Sequence, residues 1–264
     1  MHRIYDHPRY YDLAFSYRDI ADEVDTVEQA WWRFAAGPLN TVCELACGHA
    51  PHADAFAERG VHYIGVDIAP TMLGEAAARH PRAGFIQADV ADFALPEPVD
   101  LLCVFLGSLY LADREALDRH LDHASAALRP GGLYFMDWCV LFDDPTELRD
   151  HWTASRGPVQ LKCDFHAEPA NGGCFTEILT LAVDDDGHRF HLEERTTQFA
   201  ITEGELLAAL QRNGRFALVG SWNAWDLSRP LPEPACQVER PITVLRRREA
   251  PTTPDAVRPR ERRP

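Results

Sequence analysis

The sequence has few basic residues for its number of acids, and this shortage restricts what it can bind. Its 264 residues include 26 lysines and arginines but 41 aspartates and glutamates, which gives a net charge of −15. Residues 246–264 hold seven arginines and three acids, so they carry +4 while residues 1–245 carry −19. A surface this acidic repels phosphate backbones. We therefore expect no nucleic-acid partner.

The sequence also lacks the patterns of a disulfide-rich, metal-binding, exported or membrane protein. Its seven cysteines are odd in number, scattered and never arranged as C-x-x-C, which is typical of a reducing compartment. The spacing of His151, His166, His188 and His191 matches no metal template, so no metal is predicted. No signal peptide begins the chain, and the longest central apolar run, residues 101–106, is too short to span a membrane. We expect a soluble cytoplasmic protein with no membrane partner.

Small side chains are concentrated in one loop between an apolar strand and a helix. The strand is predicted at residues 40–45, and the helix begins near Pro51. Small residues let a ligand approach the backbone, and the helix N-terminus offers free N–H groups. A second apolar strand, residues 61–66, ends in Asp67, about 20 residues beyond the loop, where a carboxylate can accept both hydroxyls of a ribose. The small residues of the loop are Ala46, Gly48 and Ala50.

The segment ELACGHAPHADAFAERGVHYIGVDIAPTML, residues 44–73, resembles the cofactor-binding half of class I S-adenosylmethionine (SAM) dependent methyltransferases. Their usual pattern is E/D-x-G/A-C-G-x-G, followed by a strand that an acid closes. Two positions depart from it. Ala50 replaces the last glycine, which is tolerable if its φ is negative, and His49 stands where a small residue is common. The residues alone leave open another Rossmann-like unit, such as one that binds NAD.

The resemblance implies a row of cofactor contacts at the ends of the first four strands. Ile68 follows the acid and Met72 lies four positions later, so both would flank the adenine, although Met72 also fits a core position. Asp89 would meet the adenine amino group and Val90 the ring, with Asp92 as a competing acid that caps a turn. The implied core contacts are Glu44, Ala46, Gly48, Asp67, Ile68, Met72, Asp89, Val90 and Leu106.

The N-terminal segment is rich in aromatic residues. Residues 10–24, YYDLAFSYRDIADEV, resemble the lid that closes over SAM in small-molecule methyltransferases. The resemblance implies that Tyr11 and Tyr17 touch the cofactor and that Arg18 pairs with its carboxylate. Packing of these tyrosines on the sheet stays open as the alternative. A helix is predicted from residue 19 to about residue 36, because apolar residues recur there at helical spacing.

The chain alternates strands and helices over residues 40–138, which predicts a parallel sheet covered on both faces. The turn R-P-G-G at residues 129–132 is expected between the last of these helices and the fifth strand. From residue 158 to 200 the pattern changes to alternating runs separated by hairpin signals. The fold class is α/β, a Rossmann-like class I methyltransferase fold with a seven-stranded, mostly parallel sheet and an antiparallel strand insertion as a cap. Sugar and glycine-type N-methyltransferases have comparable insertions.

Five predicted parts follow from these patterns. A Thr-x-x-Glu capping box at Thr202 opens the helix that precedes the closing strands. The cap also offers a surface for a homodimer. The parts are a helical lid, residues 1–38; a SAM-binding core, residues 39–138; the antiparallel cap, residues 139–200; a C-terminal helix and closing strands, residues 201–245; and a disordered Pro/Arg-rich tail, residues 246–264.

The resemblance implies transfer of a methyl group from SAM to an amine or hydroxyl of a small metabolite. Methyl transfer is an in-line displacement that requires positioning and exclusion of water, and a general base is optional. The sequence contains no catalytic signature, and Trp222 and Trp225 are read as pocket walls or core. Two alternatives stay open: cyclisation of SAM with release of methylthioadenosine, and a non-catalytic SAM-binding protein. The catalytic candidates are His49, Ser108, Tyr110, Asp137 and Asp226.

Overall fold

The computed structural model describes residues 3–143, 147–232 and 237–249, which form two β-sheets, six α-helices and a short 3₁₀ helix, Ile4–Asp6. The helices are α1 (Pro8–Ala14), α2 (Ile20–Phe34), α3 (Ala53–Glu58), α4 (Pro70–Arg79), α5 (Arg114–Ala127) and α6 (Glu203–Asn213). The strands are β1 (Thr41–Leu45), β2 (His62–Asp67), β3 (Gly84–Gln87), β4 (Val99–Val104), β5 (Leu128–Asp137), β6 (Leu148–Arg156), β7 (Val159–Ala170), β8 (Cys174–Asp185), β9 (His188–Phe199), β10 (Phe216–Trp222) and β11 (Ile242–Arg247).

The larger sheet has seven strands in the order β10-β11-β5-β4-β1-β2-β3. All neighbouring pairs are parallel except those that include β11, which runs antiparallel to β10 and β5. Every residue of β4 is buried, as a central parallel strand requires. Helices cover both faces: Leu117 and Leu206 pack on one side, and Val27 and Phe56 on the other. The predicted seven-stranded, mostly parallel sheet is confirmed.

The helix ends follow the local sequence signals. Asp19 caps α2 by accepting a hydrogen bond from Asp22 N, and Thr202 caps α6 by accepting one from Glu205 N. Gly214 ends α6 in the left-handed conformation, which favours glycine. The predicted helix at residues 19–36 is therefore present as α2 and shorter by a few residues. No helix within the described ranges is long and apolar enough to cross a membrane.

Two boundaries differ from the sequence-based prediction. The fifth strand begins at Leu128, before the R-P-G-G segment, but the segment interrupts its pairing with β4, which passes from Val99–Leu128 directly to Leu101–Leu133. Arg129 of this segment pairs with Asp100 at 2.5 Å. Gly132 is required there, because a Cβ atom would lie 2.6 Å from the carbonyl oxygen of Asp100. The last strand continues to Arg247, so the predicted tail begins later than residue 246. The remainder of that tail, residues 250–264, lies outside the described residues.

The smaller sheet has the order β6-β7-β8-β9 and is antiparallel throughout. Its first strand, β6, was not predicted, because its sequence is mostly polar and exposed and shows no apolar alternation. The N-terminal segment packs against this sheet. Leu13 and Ala14 join Leu161 and Leu192 in one apolar cluster, and Trp152 Nε1 donates a hydrogen bond to the carbonyl of Ala14 at 2.7 Å. The lid and the cap are therefore one packed unit.

Candidate functional site

The loop after β1 lies at the carboxyl edge of the larger sheet. The helices that follow β1 and β4 cover opposite faces, so a crevice opens between the ends of these two strands. Ala46, Gly48 and Ala50 all have positive φ, of 51°, 56° and 58°. A negative φ was the condition on which alanine at position 50 would be tolerable, and this condition is not met. The methyl group of Ala50 is fully buried, and that burial, worth about 0.8 kcal/mol, offsets part of the roughly 1–2 kcal/mol cost of the left-handed conformation.

Asp67 ends β2 beside this loop, where a ribose was expected to bind. Its Oδ2 accepts a hydrogen bond from the backbone N–H of Gly48 at 2.7 Å, and its Oδ1 accepts one from Ala69 at 2.8 Å. Burial raises the pKa of Asp67, and these two backbone N–H groups oppose that shift. The carboxylate is thus oriented by the loop that it faces. Its contact with a ribose remains a prediction.

The predicted adenine contacts differ in exposure. Ile68 is 64% exposed, although it is a large apolar side chain, and lies next to Asp67 at the crevice. Met72 is 1% exposed, and its Cε is 3.4 Å from the point where a Cβ on Gly48 would lie. Met72 therefore supports the floor of the loop as a core residue. Ile68 is free to pack against a flat ring.

The segment after β3 carries the other predicted adenine contacts. Asp89 is exposed, and its Oδ1 accepts a hydrogen bond from Ala91 N at 2.8 Å, so Asp89 caps the turn. That role was expected of Asp92, which instead lies 3.3 Å from His123 Nε2. Val90 is buried, and His120 Nδ1 lies 2.7 Å from its carbonyl oxygen. Neither the hydrogen bond of Asp89 nor the burial of Val90 tests whether these residues contact an adenine, so both contacts remain predictions.

The lid residues predicted to touch the cofactor lie in different environments. The ring of Tyr11 contacts Phe15 and His49, and burial raises the pKa of Tyr11 to about 12. Tyr17 is 66% exposed, with its ring edge on Trp152. The Arg18 guanidinium is not free, because it forms a bidentate pair with Glu23. The pairing of Arg18 with a cofactor carboxylate stays a prediction that this ion pair does not favour.

A buried chain of charges lies beneath the crevice and was not predicted. Glu23 contacts His52 Nε2 at 2.9 Å and Arg240 Nη2 at 2.9 Å, besides its pair with Arg18. His52 Nδ1 lies 2.9 Å from the carboxylate of Glu44. Burial alone lowers the pKa of His52, but Glu44 and Glu23 outweigh it, so the pKa is raised. Glu44 therefore takes part in a buried ion pair with His52 and lies beneath the loop after β1.

A cavity of about 620 Å³ lies between the carboxyl edge of the larger sheet and the inner face of the cap. Tyr11, Tyr17 and Leu106, all predicted to touch the cofactor, contribute to its walls, so the cavity adjoins the crevice. Two of the catalytic candidates, Ser108 and Tyr110, line it as well. Burial raises the pKa of Tyr110, which keeps its phenol protonated.

The remaining catalytic candidates lie apart from this cavity. His49 is 4% exposed, and its Nε2 is 3.2 Å from Asp12 Oδ1. Asp137 is fully buried, and its oxygens accept hydrogen bonds from Leu106 N at 2.8 Å, Trp225 Nε1 at 2.9 Å and Arg240 Nη2 at 2.8 Å. With both oxygens occupied, Asp137 holds the loop after β4 in place, and the geometry disfavours it as a base.

Asp226 is an exposed turn residue rather than part of the pocket. Its Oδ1 accepts hydrogen bonds from the backbone and the hydroxyl of Ser228, at 2.8 and 2.7 Å. Trp222 is stacked on Phe34 with ring centroids 5.0 Å apart, and Trp225 is stacked on Phe105 at 6.2 Å. None of the three lines the cavity. The alternative that these tryptophans belong to the core is the correct one.

Sequence reasoning missed the polar residues that the cap contributes to the cavity. Glu177, Glu194, Thr196 and Gln198 lie on β8 and β9 and line it. A signal was present: Glu177 interrupts the apolar face formed by alternate residues from Phe175 to Val183. An acid at an inward position of a strand is costly unless it is functional or paired.

The fold and the loop together define the class of protein. A seven-stranded sheet in this order, with a small-residue loop after β1 and an acid at the end of β2, is the class I methyltransferase architecture expected from the sequence. Residues 42–132 match the model of a family described as a methyltransferase domain. The matched segment runs from β1 into β5 and contains the loop, Asp67 and Asp89.

Known proteins that resemble this chain are methyltransferases. Trans-aconitate 2-methyltransferase of Rhizobium rhizogenes is 32% identical over 123 residues, which cover 46% of each chain. The dTDP-4-amino-2,3,4,6-tetradeoxy-D-glucose N,N-dimethyltransferase of Saccharopolyspora spinosa is 28% identical over 48% of this chain and 52% of that protein. The chain thus spans about half the length of these relatives. Among solved structures, DesVI of Streptomyces venezuelae superposes with a TM-score of 0.75 at 20% identity, covering 90% of this chain and 97% of that one.

A second structure, the sugar N-methyltransferase KedS8 of a Streptoalloteichus species, gives a TM-score of 0.73 at 21% identity, with 90% of this chain and 93% of that chain covered. These similarities extend over the cap as well as the core and confirm the fold. The predicted resemblance to class I SAM-dependent methyltransferases, and SAM as the cofactor that it implies, are confirmed for the matched domain, residues 42–132.

Proposed function

We propose that the protein transfers the methyl group of SAM to an amine of a small molecule. The observation that carries this proposal is the cavity of about 620 Å³ between the sheet edge and the cap, which adjoins the cofactor crevice. A volume of this size suits a small metabolite. The named activities of the relatives, which include N,N-dimethylation of amino sugars, support an amine as the acceptor.

The chain's own residues supply binding, orientation and exclusion of water. The loop with Gly48 and the carboxylate of Asp67 would hold SAM, and Ile68 would cover the adenine. Tyr11 and Leu106 lie where the crevice meets the cavity, so they would separate the sulfonium from solvent. SAM supplies the electrophilic methyl carbon, and an in-line amine needs little more than correct placement.

The cavity gives the acceptor a binding site separate from that of the cofactor. Methyl transfer would therefore use both the crevice and the cavity. Cyclisation of SAM and binding without catalysis would leave this cavity without a function, and the relatives do not favour either. The unpaired thiols fit a reducing compartment, so we also propose a cytoplasmic location. A homodimer through the cap stays a prediction.

Product analysis tests the proposed reaction. The protein is incubated with SAM and pooled primary and secondary amines, and in parallel with the corresponding alcohols. S-adenosylhomocysteine that forms only with amines supports the proposal, and its formation only with alcohols would make the acceptor a hydroxyl. Methylthioadenosine formed without any acceptor would instead establish cyclisation.

A further inference from the structure

The inner face of the cap carries a cluster of polar residues in strict register. Glu177 on β8 lies directly across from Thr196 on β9. Because alternate residues of a strand share a face, Glu194 and Gln198 lie one step to either side of Thr196 on that same face. All four line the cavity. We call Glu177, Glu194, Thr196 and Gln198 the cap cluster.

One atom of the cap cluster, Glu194 Oε2, is buried without a hydrogen-bond partner among the described residues, on a residue that is 8% exposed. The amide of Gln198, which is 3% exposed, faces the carboxyl group of Glu177. The other oxygen of Glu194 accepts a hydrogen bond from Arg3 at 2.9 Å. Buried polar atoms normally have partners. Glu194 Oε2 therefore points to a ligand with polar groups of its own.

Acids dominate the charged lining of the cavity. The two arginines there are already paired, Arg149 with Glu147 and Arg240 with Asp137 and Glu23. A phosphate group would be repelled by such a surface, and a cation would be attracted. The acids that line the cavity are Asp143, Asp150, Glu168, Glu177, Glu194 and Glu239.

Glu177 is the acid of the cluster without a salt bridge to any described residue. Burial raises its pKa to about 7, and Tyr110 and Gln198 oppose that shift. The other titratable groups near it are Tyr5, Cys139 and Glu194, and Arg3 faces the last of these. None of them places a cation on the Glu177 carboxylate. A carboxyl group that titrates near neutral pH can accept a proton and release it again.

We propose that Glu177 binds the ammonium group of an acceptor that carries no phosphate and takes a proton from its nitrogen before methyl transfer. The proposal rests on the proposed function and narrows its substrate class to amines without a phosphate, which differ from the nucleotide-linked amino sugar in the name of the Saccharopolyspora spinosa relative. The proton passes from R–NH₃⁺ to the carboxylate. The freed lone pair then forms the N–C bond as the C–S bond breaks, and the electron pair stays on sulfur as S-adenosylhomocysteine. The methylated ammonium product leaves, and the Glu177 proton passes to solvent.

Three probes that share one ring and differ in their polar group test whether the cavity selects an amine. The protein is saturated with S-adenosylhomocysteine and titrated calorimetrically with cyclohexylamine, cyclohexanol and cyclohexyl phosphate at pH 7. We expect cyclohexylammonium to bind about 10- to 100-fold more tightly than the alcohol, as suits a hydrogen bond between charged groups, and the phosphate to be weakest. Repeating the titration in two buffers of different ionisation enthalpy measures the number of protons released on binding. Amine binding should release protons, because the ammonium group favours the ionised carboxylate of Glu177.

Two variants make the test specific. Glu177→Gln should lose the preference for the amine and the proton release. Glu193→Gln is the matched control: Glu193 pairs with Thr180 and lies on the opposite face of the cap, so this variant should bind like the wild type. Circular dichroism and melting temperature establish that both variants are folded.

The outcomes separate the inference from the function on which it rests. Failure to bind S-adenosylhomocysteine would contradict both. Binding of S-adenosylhomocysteine, with amine binding that is absent, equal to alcohol binding, or unchanged in Glu177→Gln, would overturn the inference alone. Tightest binding by cyclohexyl phosphate would overturn the exclusion of phosphate.

Discussion

The carboxylate of Asp67 accepts a hydrogen bond from the backbone N–H of Gly48 at 2.7 Å, and this bond ties the end of β2 to the loop after β1. The second oxygen accepts one from Ala69, so both oxygens are held by backbone groups. A cofactor bound in the crevice would meet a carboxylate whose orientation is already fixed. Pre-organisation of this kind reduces the cost of ordering the site on binding.

Asp67→Ala should weaken SAM binding by about 1.5–3 kcal/mol, the usual contribution of hydrogen bonds to a charged group. The sequence alone led us to expect intact folding. The structure adds that two partly buried N–H groups lose their acceptor, so a loss of up to about 1 kcal/mol in unfolding free energy should accompany the weaker binding. Calorimetry and denaturant titration measure the two effects. Asp122→Ala, which removes an exposed acid on α5, is the control, and an unchanged Kd in Asp67→Ala would remove Asp67 from the ribose role.

Glu23→Gln should destabilise the protein by about 3–5 kcal/mol, because it leaves Arg18, His52 and Arg240 without a shared buried partner. Glu28→Gln on the same helix breaks only a partly exposed pair with Arg59 and should cost less than about 1 kcal/mol. Urea unfolding at pH 7 compares the two variants. Equal, small losses would show that the buried charges are not coupled.

Glu177→Gln should change how stability depends on pH. Because the folded pKa of Glu177 is raised to about 7, its contribution is fully present below its ordinary pKa of about 4.5 and is lost as pH rises through 7. The variant should match the wild type near pH 5 and exceed it by about 1–3 kcal/mol at pH 8. Denaturant unfolding at both values measures this. A difference that does not vary with pH would mean that Glu177 titrates normally.

The lid should become ordered when the cofactor binds. Asp12 lies 3.2 Å from His49 in the cofactor loop and 2.7 Å from Arg156 in the cap, so the lid touches both parts that would enclose SAM. Hydrogen exchange of residues 5–20 should be fast in the free protein and slow with S-adenosylhomocysteine, since closure admits the ligand. The hypothesis is falsified if this segment exchanges equally slowly in both states. The tyrosines would then be fixed packing residues of the cap.

The core of the fold could be predicted because its signals are local. The apolar run of β4, the small residues after β1 and the capping box at Thr202 each act within a few positions of the chain. Strand β6 could not be predicted, because one side of it is exposed and its pairing with β7, rather than its composition, makes it a strand.

The candidate site was only partly predictable for a different reason. Glu23 and Arg240 are separated by 217 positions and meet only in the folded chain, so no sequence spacing reveals their pair. Glu177 was overlooked because the direction in which a strand residue points depends on what the strand packs against. Asp226 shows the converse: an acid near tryptophans in sequence lies on an exposed turn.

The central claim is that the crevice between β1 and β4 binds SAM. Isothermal titration calorimetry with SAM, S-adenosylhomocysteine and NAD tests it most directly, because all three share an adenosine and differ in what is attached to it. We expect SAM and S-adenosylhomocysteine to bind one per chain, with binding weakened in Asp67→Ala, and NAD not to bind. Binding of NAD without binding of SAM would contradict the account.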